Sequence, residues 1–204
     1  VCEKITEGYN SGLYSDAETK LANEIFRLLV KDTEMKIRLL IAESLKSNMQ
    51  APHDVIWALA NDRQEIAVPI LEFSHVLSEE DLIAIVQATR EHAKLKAITR
   101  RESISKELSH ALIEKRDHEI TCSLLSNKGA SISDTSMDVI LEEFARENSV
   151  LEELVLRGGL SYEFAERLFS VVSDTLKKQL TRKYRMGRHV AEDMTASARE
   201  AAVL

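Results

Sequence analysis

Six histidines, two cysteines, several adjacent carboxylates and one Gly-Gly step are the residues of this chain with chemistry to offer. A zinc site needs imidazole, thiolate or carboxylate ligands at short, regular spacing, most simply two histidines one helical turn apart. His53, His75, His92, His110, His118 and His189 never stand three or four residues from one another, and no carboxylate–histidine helix motif accompanies them. Cys2 and Cys122 suggest neither a disulfide framework nor a thiolate cluster, and Cys122 lies in an apolar helical pattern as a small hydrophobe. Glu142-Glu143 and Glu152-Glu153 are neighbours in sequence, so they point to different faces of a helix and read as solvated surface. The nucleophile-elbow, C-x-x-C, Walker and dinucleotide patterns are all absent, and Gly158-Gly159 lacks the strand a phosphate-binding turn requires. The reading is a non-enzymatic chain, with no catalytic residue, no metal site and no cofactor.

Two constellations remain. Aligning the units described below by their capping serines puts Ser47, Ser74, Arg101 and Arg157 at equivalent places before the next helix, with Asn127 or Gly129 in the fourth unit. In a stacked array such positions form a ladder along one edge. That edge is either a partner surface or a set of side chains tying down the turns by bonding free carbonyls at helix ends. The second constellation is basic: Lys177, Lys178, Arg182, Lys183, Arg185 and Arg188, with no acid between Asp174 and Glu192. It suits a phosphate, an anionic lipid or an acidic protein, and it equally suits a cap helix whose C-terminus favours cations. Trp57, beside an apolar stripe, is either a partner anchor or a residue packed between helices.

These residues are positioned by a repeat. Residues 51–130 fall into three segments, each with an amphipathic helix, a polar break and a second helix, at a period of about 27 residues. In the first unit, Leu21, Ile25, Leu28 and Leu29 form one apolar face, Asp32 caps the partner helix, and Ile37, Leu40, Ile41 and Leu45 supply its stripe. The second starts near Pro52 with Val55, Ile56 and Leu59; Asp62 caps the helix of Ile66, Ile70 and Phe73, where Pro69 predicts a kink. Ser78 and Ser105 cap the third and fourth units, Asp117 opens the second helix of the fourth, and Ser133 or Asp134 caps the fifth. Arg157-Gly158-Gly159 is a natural stop. Ser161 then caps one long helix, to about Arg185, that closes the array with a polar face.

The chain of 204 residues is long enough for a sizeable core, and its six Gly and two Pro argue against long loops. A net charge of −7 opposes a general nucleic-acid surface. No apolar run approaches a membrane span, so a reducing cytoplasm is expected. The chain opens on Val1, as a part of a longer protein would.

The runs "LSEEDLI" at 77–83 and "LLSNKGA" at 124–130, with "IAVPILE" at 66–72 and "ERLFSVVSDTLKKQL" at 166–180, sharpen the picture. Over roughly residues 20–182 the chain resembles a bacterial family of HEAT-like helical domains of unknown function, frequent in alphaproteobacteria. The resemblance implies a fold and no activity. The expected fold is all-α: a right-handed α-solenoid of about five HEAT-like two-helix repeats with a long C-terminal capping helix, over residues 1–186. Residues 187–204 read as a helical extension. The expected function is a protein- or peptide-binding scaffold. The alternative is a nucleic-acid-binding protein that uses the basic C-terminal face.

Overall fold

The computed structural model of the chain describes residues 2–32 and 34–184. Three helices open it: α1 (Cys2–Asn10), α2 (Asp16–Leu29) and α3 (Met35–Leu45). Four pairs follow: α4 (His53–Ala60) with α5 (Gln64–Phe73), α6 (Glu79–Ala88) with α7 (His92–Thr99), α8 (Lys106–Ile113) with α9 (His118–Ser126), and α10 (Asp134–Glu143) with α11 (Asn148–Arg157). The last two are α12 (Tyr162–Val171) and α13 (Asp174–Tyr184). Among the described residues there is no strand, only an isolated parallel bridge between Ile104 and Ala130. The protein is all-helical. Arg185, Arg188 and the extension expected over 187–204 lie outside the described residues.

The odd-numbered helices pack in an unbroken row, each against the next from α1 to α13. The even-numbered helices form a second row, in which α2 meets α4, α6 meets α8, and α8 meets α10. The core lies between the rows, where Ile41, Ile56, Ile66, Ile70, Leu112 and Ile120 are fully buried. Side chains then join units one repeat apart. Arg38 meets Asp62, His53 meets Asp81, His110 meets Ser136, Ser126 meets Glu153 and Arg167 meets Asp138, at separations of 24 to 29 residues. The sequence period thus reappears as a period in the hydrogen bonds.

Serine starts most helices of the even row. Ser78, Ser105, Ser133 and Ser161 each accept a backbone N–H of the first turn, and Ser78 completes a capping box with Asp81. Asp117 caps α9 as expected. Asp32 and Asp62 do not cap: the N-cap residues are Glu34 and Arg63, and each aspartate instead accepts the N–H of a residue just before the helix. Both oxygens of Asp62 also accept from Arg38, Oδ2 from its Nε and Oδ1 from its Nη2. Gly158 and Gly159 end α11 with positive φ, the stop the sequence indicated. α5 runs on through Pro69.

Three expectations are corrected. The closing helix is two helices, broken at Val172-Ser173, where Val172 is extended at φ −84° and ψ 159°. Ser173 before Asp174 is itself a helix-start signal, and the break lets α13 fold back on α12 and reach α11. In α2 the buried residues are Ala22 and Phe26, while Leu21 and Leu28 are 62% and 72% exposed. α1 explains the rotation, because Tyr9 meets Phe26 edge-on with ring centroids 5.1 Å apart. Phe73, expected in a core stripe, is 45% exposed at the end of α5.

Candidate functional site

The edge that carries Ser74, Arg101, Asn127 and Arg157 is built from the C-terminal ends of the odd-numbered helices. A helix ends with carbonyls that lack intrahelical donors. Arg101, just after α7, donates from its two terminal nitrogens to the carbonyls of Leu71 and Ser74 at the end of α5, both at 2.7 Å. Asn127, one unit on, donates to Thr99 and Arg101 at 2.8 and 2.7 Å, and its side-chain Oδ1 accepts the Gly129 N–H. Arg157 donates to Leu125, Asn127 and Ala130. Lys183 repeats the move on α11, donating to Val155 and Leu156 at 2.8 and 2.9 Å. Each of these four turns is held by a polar side chain from the following unit.

Neither Arg101 nor Arg157 forms an ion pair among the described residues. Burial pushes both guanidinium pKa values below their ordinary value, but an arginine still stays charged. The partial negative charge at a helix C-terminus is the counter-charge. Lys183 is lowered too, first by burial and then by Lys128 nearby. Between Arg101 and Asn127 the two turns also pair by backbone. Ile104 donates to Gly129, and Ser131 donates to Ile104. A Cβ on Gly129 would stand 1.9 Å from the Glu102 carbonyl oxygen, so only glycine fits there.

Ser74 is fully buried, and Arg101 is nearly so, with its terminal nitrogens on carbonyls and part of its side chain lining a hollow with Glu72, Phe73 and His75. Asn127 and Arg157 spend their donors on carbonyls. Ser47 stays exposed, beside a hollow formed with Tyr9, Asn10 and Gln50. The basic run is divided in the same way. Lys183 is taken up by α11, and Lys177 lies 5.5 Å from the centre of the Phe169 ring and 3.9 Å from Asp174. Lys178 and Arg182 are exposed with no partner among the described residues.

Beside the ties runs a series of open hollows on the odd row. One between α3, α5 and α7 has Val68, Pro69, Phe73 and Ala93 as its floor and Glu43, Lys46, Glu65 and Glu72 on its rim. Lys46 sits 5.0 Å above the Phe73 ring. The next, of about 690 Å³, lies over α7 and α9 and is lined by Lys96, Arg100, Glu119, Cys122, Ser123 and Ser149 among others. Burial pushes the Cys122 thiol up, aided by Glu153, Glu119 and Glu147 against a hydrogen bond with Ser149, which leaves little thiolate. No group of three or more His, Cys, Asp or Glu among the described residues is arranged to hold a metal. Three histidines bridge units instead: His53 to Asp81, His110 to Ser136, and His92 to Asp117 and Glu119. Trp57 is partly buried against the core and stacks on His53.

Tyr9 and Asn10 were not legible as site residues, yet they tie the end of α3, donating to the carbonyls of Gln50 and Ser44 at 2.7 Å each. Lys115 was also missed; it holds the carbonyls of Gln87 and Thr89 at the end of α6. Its place after α8, as Arg101 follows α7, was the available signal.

The model of a family described as "Uncharacterised protein conserved in bacteria (DUF2336)" matches residues 66–204, more than half of the chain. The chain belongs to this family. DUF2336 thus begins within α5 and runs to the end of the sequence, whereas the resemblance read from the sequence covered about residues 20–182. Every tie from Arg101 to Lys183 falls inside the match, and α1 to α4 fall outside it. Neither the curated proteins nor the solved structures contain a match to the chain. No helix among the described residues is long and apolar enough to cross a membrane.

Proposed function

We propose that this DUF2336 protein is a non-enzymatic scaffold, a right-handed HEAT-like solenoid that binds a protein or peptide along the exposed side of its odd-numbered helices. The observation that carries the reading is the tie of each turn of the odd row from α5 onward to the following unit. Such ties hold neighbouring helices in fixed register, and fixed register gives a stacked array one continuous, rigid surface. The hollows from Phe73 to Ser149 lie along that surface, the first with an apolar floor and both with rims of both charges, a composition suited to a peptide with an apolar anchor and polar flanks. Cytoplasmic residence is part of the proposal.

A second reading, nucleic-acid binding, is favoured by one observation: Lys178 and Arg182 stand exposed on α13 ahead of Arg185 and Arg188. The test is affinity capture from lysate with three chains: native, Phe73→Asp with Lys96→Glu, and Lys178→Glu with Arg182→Glu. The scaffold reading expects one discrete protein that is lost with the Phe73 variant and kept with the Lys178 variant. Nucleic acid held at low salt by the native chain and lost with the Lys178 variant would replace it with the second reading.

A further inference from the structure

The apolar strip on α2 is unusual for a surface. Leu21 and Leu28 are 62% and 72% exposed, one helical repeat of seven apart, with half-buried Ile25 between them and Ala17 exposed one turn before. Helices α1, α3 and α4 cover only the opposite side, through Ala22 and Phe26. Large leucines in a row on a helix are the pattern by which one helix recognises another.

We infer that this strip is the contact between two copies of the chain, with α2 of one lying antiparallel on α2 of the other. The reason is that the strip complements itself. A two-fold axis between Glu24 and Ile25 brings Leu21 level with Leu28 of the second copy, and Leu28 level with its Leu21. The same axis sets Glu18, whose carboxylate also accepts from Ser15 in the capping box, opposite Lys31 in the turn after α2 of the second copy, and Leu21, Leu28, Glu18 and Lys31 are all exposed. Glu24 faces Ile25 across the axis, so no like charges oppose each other there. Glu24 is already neutralised by Arg27 at 2.7 Å, and Arg27 is held by Asp54 of α4 at the same distance. A parallel pairing in register would set Glu18 against Glu18, Glu24 against Glu24 and Lys31 against Lys31, so charge selects the antiparallel arrangement.

The strip is about three turns long. An interface of that size falls below the roughly 1,200 Å² of a standard stable complex, so the dimer is weak and concentration-dependent. It is also separate from the proposed binding surface, which begins at α3. Two copies joined through α2 therefore present two such surfaces.

Sedimentation equilibrium of the full chain over a wide concentration range tests this. The native chain is expected to show reversible monomer–dimer exchange, and Leu21→Glu or Leu28→Glu to abolish it. Both positions are exposed, so circular dichroism and thermal melting of these variants should match the native chain. The arrangement is read by cross-linking in a chain with Cys2→Ser and Cys122→Ser. Leu21→Cys mixed with Leu28→Cys should form a disulfide readily, and either variant alone should not. A native chain that stays monomeric throughout, or a dimer indifferent to both glutamates, overturns the contact. Preferential cross-linking of Leu21→Cys to itself overturns the antiparallel geometry.

Discussion

The two ends of this chain are held in different ways. From α5 onward, each turn of the odd row is fastened by a side chain from the following unit: Arg101, Asn127, Arg157 and Lys183. At the N-terminal end the corresponding carbonyls after α3 are fastened from upstream, by Asn10 and Tyr9 of α1. The joint between α2–α3 and the rest adds two ion pairs, Arg27–Asp54 at 2.7 Å and Arg38–Asp62 at 2.6 Å, to the packing of α3 on α5. The family match covers the first kind of construction and omits most of the second. A helix carbonyl does not titrate and an arginine remains charged, whereas a carboxylate can be protonated. The two regions should therefore differ in acid sensitivity as well as in strength.

The largest contrast lies in the core. Leu112 in α8 is fully buried, so Leu112→Ala should cost ~2–5 kcal/mol in urea titration. Leu28→Ala, on the exposed strip, should change monomer stability by less than about 0.5 kcal/mol. Equal losses at the two positions would erase the distinction between the regions.

The ties come next. Arg101→Met strands two carbonyls at the end of α5 and should cost about 2–3 kcal/mol. Arg101→Lys should recover only part of that, because a point ammonium does not reproduce the fork that spans both carbonyls. Thermal melts of the two variants make the comparison. Gly129→Ala drives a Cβ into the Glu102 carbonyl and should cost ~1–3 kcal/mol by separating the paired turns.

Acid sharpens the contrast further. The bond from Arg27 holds the Asp54 carboxyl below the usual carboxylate range. Desolvation alone would raise Asp62, but Arg38 and the Arg63 N–H together hold it low as well. A depressed carboxyl contributes stability that is present above its unfolded pKa, near about 4, and is lost as pH falls through the folded value. The N-terminal helices should therefore loosen before the tied region as pH drops below about 4, and Asp62→Asn should flatten that limb of a pH–stability profile. Asp81 and Asp117 are also held low, by His53 and His92 of the preceding unit as well as by the caps they form, so later units share part of this acid sensitivity while their tied carbonyls do not.

Much of the fold was legible because it is written in local chemistry. Serine before an acidic first turn marks α6, α8, α10 and α12, and glycine at positive φ marks the end of α11. The misreadings have one physical origin. In α2 both Leu21-Ile25-Leu28 and Ala22-Phe26-Leu29 repeat at helical spacing, and only the ring of Tyr9 on α1 decides which face turns inward. Position likewise put Arg101 and Arg157 on one edge, but only the carbonyls left open by the preceding unit show that they point into the stack. The end of α12 was hidden because Val171 and Val172 continue the helical stripe that Ser173 interrupts.

Hydrogen exchange resolved by mass spectrometry, native chain against Arg157→Met, tests the central claim most directly. Loss of that guanidinium frees the carbonyls of Leu125, Asn127 and Ala130. The account predicts faster exchange at the end of α9 and in the turn through Ser131, spreading into the paired turn at Ile104, with α2 and α3 unchanged. Unchanged exchange around residues 124–131, or equal acceleration along the whole chain, would contradict the view that each unit is fastened by the next.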